Sequence, residues 1–119
     1  MIIGIGNDMI EIDRVIRACE KEAFLCKCFT EKERELFFTD KKKAADNFAV
    51  KEAVVKMFGT GFREIVPIEI ECLRDELGKP YVNLYGKALE MGKKRGLKTV
   101  HVSISNTKKY ASAFVVGED

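Results

Sequence analysis

The spacing of hydrophobic residues changes several times along the chain, and each change marks an element. The opening "MIIGIGND" sets Ile2, Ile3 and Ile5 between glycines, the pattern of a short buried strand that ends at a polar turn. From about Met9 the period becomes helical. Ile12, Val15, Ile16 and Cys19 fall at i, i+3, i+4 and i+7, one apolar stripe, while Arg14, Arg17 and Lys21 line up on another face. "TEKE" at 30–33 is a capping-box pattern that predicts a short helix through Phe38. A further helix begins at Asp40 or Asp46 and stops at "GTG", where Gly59 or Gly61 supplies a left-handed residue.

After Pro67 the period drops to two. Ile68, Ile70 and Cys72 alternate with Glu69 and Glu71, "RDELGKP" turns, and "YVNLY" returns as a second strand. Ala88 to Arg95 reads as a helix closed by Gly96, and "TVHVSIS" and "YASAFVV" are two strands around the polar turn "NTKK". This order predicts an α+β fold in one domain over 1–119, with a mainly antiparallel sheet packed with a long buried helix.

Composition narrows the function classes. With 21 Lys and Arg against 19 Asp and Glu, the net charge of +2 does not announce a nucleic-acid partner. Lys41, Lys42 and Lys43 read as a solvated patch near a helix start. Cys19, Cys26, Cys28 and Cys72 form no C-x-x-C pair, and the lone His101 does not complete a zinc site. With no signal peptide, they read as reduced thiols of a cytoplasmic protein. Every apolar run falls far short of the roughly 18 residues of a membrane span.

The candidate chemistry lies in "FAVKEAVVKMFGTG", residues 48–61. This helix is apolar nearly all round and is expected to be largely buried, yet it carries Lys51, Glu52 and Lys56. A solvent-facing ion pair between Glu52 and Lys56 would contribute only about 0.2–0.5 kcal/mol. Burying such charges costs several kcal/mol per ion, so a further partner such as a cation or a phosphate-bearing ligand is expected. Asp8, in the polar turn after the first strand, caps the following helix or supplies a second carboxylate. Two carboxylates brought together suit Mg²⁺, which keeps waters and completes its shell with substrate phosphates. Lys56 would offer a phosphate a positive charge or a proton. The residues therefore point to phosphoryl or phosphodiester chemistry.

Four segments in order, "GIGNDMIEIDR" (4–14), "FAVKEAVVKMFGTG" (48–61), "GKPYVNL" (78–84) and "VSISNTKKYASA" (102–113), resemble the motifs of the holo-[acyl-carrier-protein] synthase family of 4'-phosphopantetheinyl transferases. The resemblance implies transfer of phosphopantetheine from coenzyme A to a serine of apo acyl carrier protein, with release of 3',5'-ADP, in support of fatty acid biosynthesis. It implies homotrimers with active sites between subunits. It places the metal ligands at Asp8 and Glu52, the catalytic lysine at Lys56, and a carrier-docking arginine at Arg14, with Arg17 and Lys21 extending that basic stripe. Glu52 or a water on the metal would take the serine proton. Lys79, Pro80, Ser103 and Ser105 become candidates for lining the nucleotide pocket. One position departs from the pattern: Asn106 stands where a histidine is usual, and it cannot serve as acid or base near neutral pH. Two other readings remain at this level, an RNA-binding module using the lysine clusters and a small Mg²⁺-dependent pyrophosphate hydrolase.

Overall fold

The computed structural model describes residues 1–119 and contains ten main elements. In chain order they are β1 (Ile2–Glu11), α1 (Ile12–Ala18), α2 (Glu22–Cys28), α3 (Glu31–Thr39), α4 (Lys42–Phe58), β2 (Ile70–Arg74), β3 (Pro80–Leu84), α5 (Gly86–Lys94), β4 (Thr99–Asn106) and β5 (Tyr110–Glu118). All strand pairs are antiparallel. One sheet has the order β1-β5-β4 and the other is the hairpin β2-β3. The α+β expectation, with a long buried helix against antiparallel strands, agrees with this architecture.

The first strand runs further than its hydrophobic pattern predicts. Asn7 to Glu11 pair with Phe114 to Tyr110 of β5, so the chain stays extended past the "GND" segment and α1 begins only at Ile12. Asp8 therefore lies inside a strand opposite Ala113 and caps no helix. Cross-strand hydrogen bonds decided this, and a local periodicity does not register them.

Helix α4 packs across β1 and β5, and small residues set the distance. A Cβ at Gly6 would overlap the backbone carbonyl of Ala53, so only glycine lets β1 approach the helix there. The helix ends at Gly59, whose φ of 77° places it in the left-handed region. The core gathers Ala49, Val50, Ala53, Val54 and Phe58 of α4 with Ile65, Ile70, Cys72, Ala113 and Val115. A second cluster joins α1 and α2 to the start of α4 around Phe29, which meets Phe37 edge-on with ring centroids 4.9 Å apart. Helix α2 has no counterpart in the sequence pattern. It is short, and its Phe24, Leu25 and Cys28 are held by this aromatic cluster rather than by a long periodic stripe.

Two further differences concern the β2-β3 hairpin. Pro67–Glu69 forms a short 3-10 turn, so the strand alternation starts at Ile70. Glu71, which alternates with the apolar Ile70 and Cys72, is only 3% exposed. It accepts from the Thr30 hydroxyl at 2.6 Å, Asn83 Nδ2 at 3.0 Å and the Tyr85 hydroxyl at 2.8 Å, which satisfies a carboxylate away from water.

Candidate functional site

The helix that carries three charges sorts them into two environments. Lys51 is fully buried and donates to Glu33 Oε1 at 2.7 Å, to the Pro67 carbonyl at 3.1 Å and to the Ile70 carbonyl. Glu33 is equally buried. It closes the capping box with Thr30 and also accepts from Asn47 Nδ2 and the Cys72 amide. Burial pushes the Glu33 carboxyl up and the Lys51 ammonium down, and the mutual attraction acts against both. The fully buried charges are thus Lys51 of this helix and its partner Glu33, not the expected Glu52 and Lys56. The signal was present: Ala44, Asn47, Lys51, Val54, Val55 and Phe58 share one buried stripe of α4.

Glu52 and Lys56 face the β1 edge of the sheet. Lys56 does not pair with Glu52. Its Nζ donates to Asp8 Oδ1 at 2.9 Å, joining the last turns of α4 to β1. The Lys56 side chain is 53% exposed and that of Asp8 16%. Glu52 is half-buried and accepts no hydrogen bond from the protein. Burial pushes its carboxyl above the ordinary glutamate value, the Asp8 charge pushes it the same way, and Lys56 acts in the opposite sense. Two carboxylates that repel each other, one without a donor, form a hard-oxygen set that suits Mg²⁺. No cluster of three or more His, Cys, Asp or Glu residues exists, so the protein alone offers no closed cage. A cation here would need water or phosphate oxygens to complete its shell.

The other candidate residues lie elsewhere. Ser103 and Ser105 are on β4, opposite Phe114 and Ser112, on the sheet face turned away from α4. Lys79 and Pro80 enter β3 in the smaller sheet. The order β1-β5-β4 sets Asp8 and the serines at opposite edges, so one chain does not bring the two groups together. Arg14, Arg17 and Lys21 are all exposed, but they do not form one helical stripe. Helix α1 ends at Ala18, and Lys21 sits in extended conformation before α2, so only Arg14 and Arg17 share the face. Two residues that the sequence reading gave no joint role also meet: Asn106 donates to Asp46 at the β4 edge. No local pattern announces a contact across 60 positions.

The full-length comparisons agree with one another. A family model described as the 4'-phosphopantetheinyl transferase superfamily matches residues 4–115. A holo-[acyl-carrier-protein] synthase of Lachnoclostridium phytofermentans is 64% identical over 118 residues, covering 99% of this chain and 97% of that protein. The crystal structure of holo-[acyl-carrier-protein] synthase from Neisseria meningitidis is similar with a TM-score of 0.88 and 35% identity, covering 100% of each chain. A holo-(acyl-carrier-protein) synthase from Bacillus anthracis, solved in complex with CoA (3',5'-ADP), has a TM-score of 0.79 at 33% identity, covering 98% of this chain and 96% of that one.

Proposed function

The chain belongs to the 4'-phosphopantetheinyl transferase superfamily, and from that premise we propose that it transfers phosphopantetheine from coenzyme A to a serine of an apo acyl carrier protein. The observation that carries this reading is the cluster of Asp8, Glu52 and Lys56 on the β1 edge. Asp8 and Glu52 would hold Mg²⁺. When bound there, the ion supplies a Lewis acid that neutralises charge on the coenzyme A pyrophosphate.

The chemistry is an in-line displacement. The serine oxygen forms a bond to the β-phosphorus, the bond from that phosphorus to the bridging oxygen breaks, and 3',5'-ADP leaves. Lys56 is placed to stabilise negative charge on the leaving phosphate, because its ammonium stands at the exposed end of the cluster. The serine proton passes to a base, and an Oε atom of Glu52, which accepts no hydrogen bond from the protein, is the candidate on this chain.

Two features support a homotrimer with sites between subunits. The nucleotide-lining candidates Lys79, Pro80, Ser103 and Ser105 lie away from Asp8, so a second copy would have to supply them. The sheet face opposite α4 also leaves Ile5 59%, Met9 68% and Phe114 47% exposed, an apolar surface that a neighbouring copy would cover. The exposed Arg14 and Arg17 suit an acidic carrier helix. A cytoplasmic role in fatty acid biosynthesis follows from that partner; no helix is long and apolar enough to cross a membrane.

The test is intact-mass analysis of an apo carrier protein after incubation with this protein, coenzyme A and Mg²⁺. The expected result is a gain of one phosphopantetheine that disappears without Mg²⁺. Consumption of the nucleotide with no change in carrier mass would select a pyrophosphate hydrolase instead.

A further inference from the structure

Helices α1, α2 and α3 close over the start of α4 and leave a half-open cavity of about 420 Å³ between them. That volume lies in the range of small-molecule sites, roughly 300–1,000 Å³. Its walls are largely apolar, with Ile16 of α1, Leu25 of α2, Phe37 of α3 and Ala44 of α4. Phe37 is held edge-on against Phe29 and Ala44 is small, so neither side chain fills the space. Cys19 belongs to the same wall, and burial pushes its thiol up to about 11, so it stays uncharged at neutral pH. Asp8, Glu52 and Lys56 take no part in this cavity.

One charge on the wall lacks a counterpart. Arg34 lines the cavity, and its Nε is shut off from solvent without a hydrogen-bond partner. Its Nη1 meets only Cys26 Sγ, at 3.5 Å, and no salt bridge in the structure includes it. Glu20 and Glu22 border the same space, but both are exposed, so water satisfies them. A cationic donor held out of water without an acceptor is costly, and an arriving acceptor would recover that cost. Lys41, on the rim, adds a second positive charge.

We propose that this cavity binds a small amphipathic carboxylate of the medium-chain fatty acid class. The tail lies against Ile16, Leu25 and Phe37, and the carboxylate takes the Nε–Nη2 edge of Arg34. Arg34 is only half-buried, so rotation about its outer torsions turns that edge into the cavity. The planar fork of a guanidinium matches the two oxygens of a carboxylate, which adds geometry to charge. An inorganic anion would satisfy the fork but leave the apolar walls uncovered. An amine would meet only the two hydrated glutamates and leave Arg34 as it stands.

Amide NMR titration of the full chain with octanoate, octanol and octylamine tests this, because the three share one tail and differ in the head. Octanoate is expected to shift the resonances of Cys19, Leu25 and Phe37, and to bind at least about tenfold more tightly than octanol. Octylamine is expected to bind no more tightly than octanol. Arg34→Met keeps an apolar wall and removes the fork. It should bring octanoate down to the level of octanol while octanol itself stays within about twofold of wild type, which shows that the cavity survives. Should Arg34→Met not fold, the comparison of the three heads on the wild type decides. Octanoate that shifts nothing, shifts scattered away from the cavity, or octanol or octylamine binding as tightly as octanoate overturns the inference. So does an Arg34→Met protein that keeps the full preference for octanoate. None of these readouts involves coenzyme A or the carrier, so the proposed function stands or falls separately.

Discussion

Lys51 is fully buried against Glu33, while Lys56, farther along the same helix, keeps about half of its side chain in solvent and reaches Asp8. Substitution should separate the two roles. Lys51→Met leaves the Glu33 carboxylate buried without its cation, and should cost about 3–5 kcal/mol in denaturant unfolding. Lys56→Met should leave stability within about 1 kcal/mol, because a half-exposed ion pair contributes little, and should lower the transfer rate without weakening Mg²⁺ binding. If Lys51→Met is as stable as wild type, the buried pair does not hold the fold as described. The carboxylates act in the opposite sense. Asp8→Asn and Glu52→Gln should each remove about a hundredfold or more of activity, and the double variant little more, as for residues that work as one unit. The raised pKa of Glu52 means that its ionised form is less favourable in the folded, metal-free protein than in the unfolded chain. Metal-free Glu52→Gln should therefore melt higher than wild type at neutral pH, with the gain fading on acidification through the carboxylate range. Wild-type rates for the carboxylate variants at the same Mg²⁺ concentration would make Glu52 a structural charge.

Individual elements carry their own tests. On α1 the exposed Arg14 and Arg17 share a face, whereas Lys21 stands beyond the helix end. Reversing both arginines to Glu should raise the KM for carrier protein about tenfold at low salt and leave coenzyme A affinity unchanged, while Lys21→Glu should have a smaller effect. Unchanged carrier kinetics at low salt would remove α1 as the docking element. In the β2-β3 hairpin, burial works to raise the Glu71 carboxyl, but hydrogen bonds from Thr30, Asn83 and Tyr85 outweigh it and hold the carboxyl below its ordinary value. A depressed carboxyl stabilises the fold above the ordinary glutamate pKa, and that contribution is lost as pH falls through the lower folded value. The stability difference between wild type and Glu71→Gln should thus be full at neutrality and shrink in acid. A difference that stays constant with pH would show that the Glu71 charge is irrelevant.

For the whole molecule, the candidate residues of one chain fall in two separate places. Asp8 and the Ser103–Ser105 segment occupy opposite edges of the three-stranded sheet, and Phe114 lies exposed on the face between them. Sedimentation equilibrium should give three times the chain mass at micromolar concentration. Phe114→Glu should shift the protein toward monomer, preserve its circular dichroism, and lower transfer at least about tenfold although Asp8, Glu52 and Lys56 are untouched. A wild-type monomer with full activity would end the shared-site account.

Much of this was legible along the chain, because it depends on near neighbours. The capping box of Thr30 and Glu33, the left-handed stop at Gly59 and the alternation of β4 and β5 are local hydrogen-bonding and burial patterns. The resemblance of four segments also singled out Asp8, Glu52 and Lys56 before any geometry. Three-dimensional packing decided what those charges meet. Whether a lysine on an apolar helix is buried depends on which stripe faces the core, and whether Lys56 bonds Glu52 or Asp8 depends on a strand 48 positions away. The extension of β1 through Glu11 required β5 beside it, and the hydrogen bond from Asn106 required Asp46. These contacts join residues far apart in sequence, and their energies come from desolvation and pairing that only the folded chain imposes.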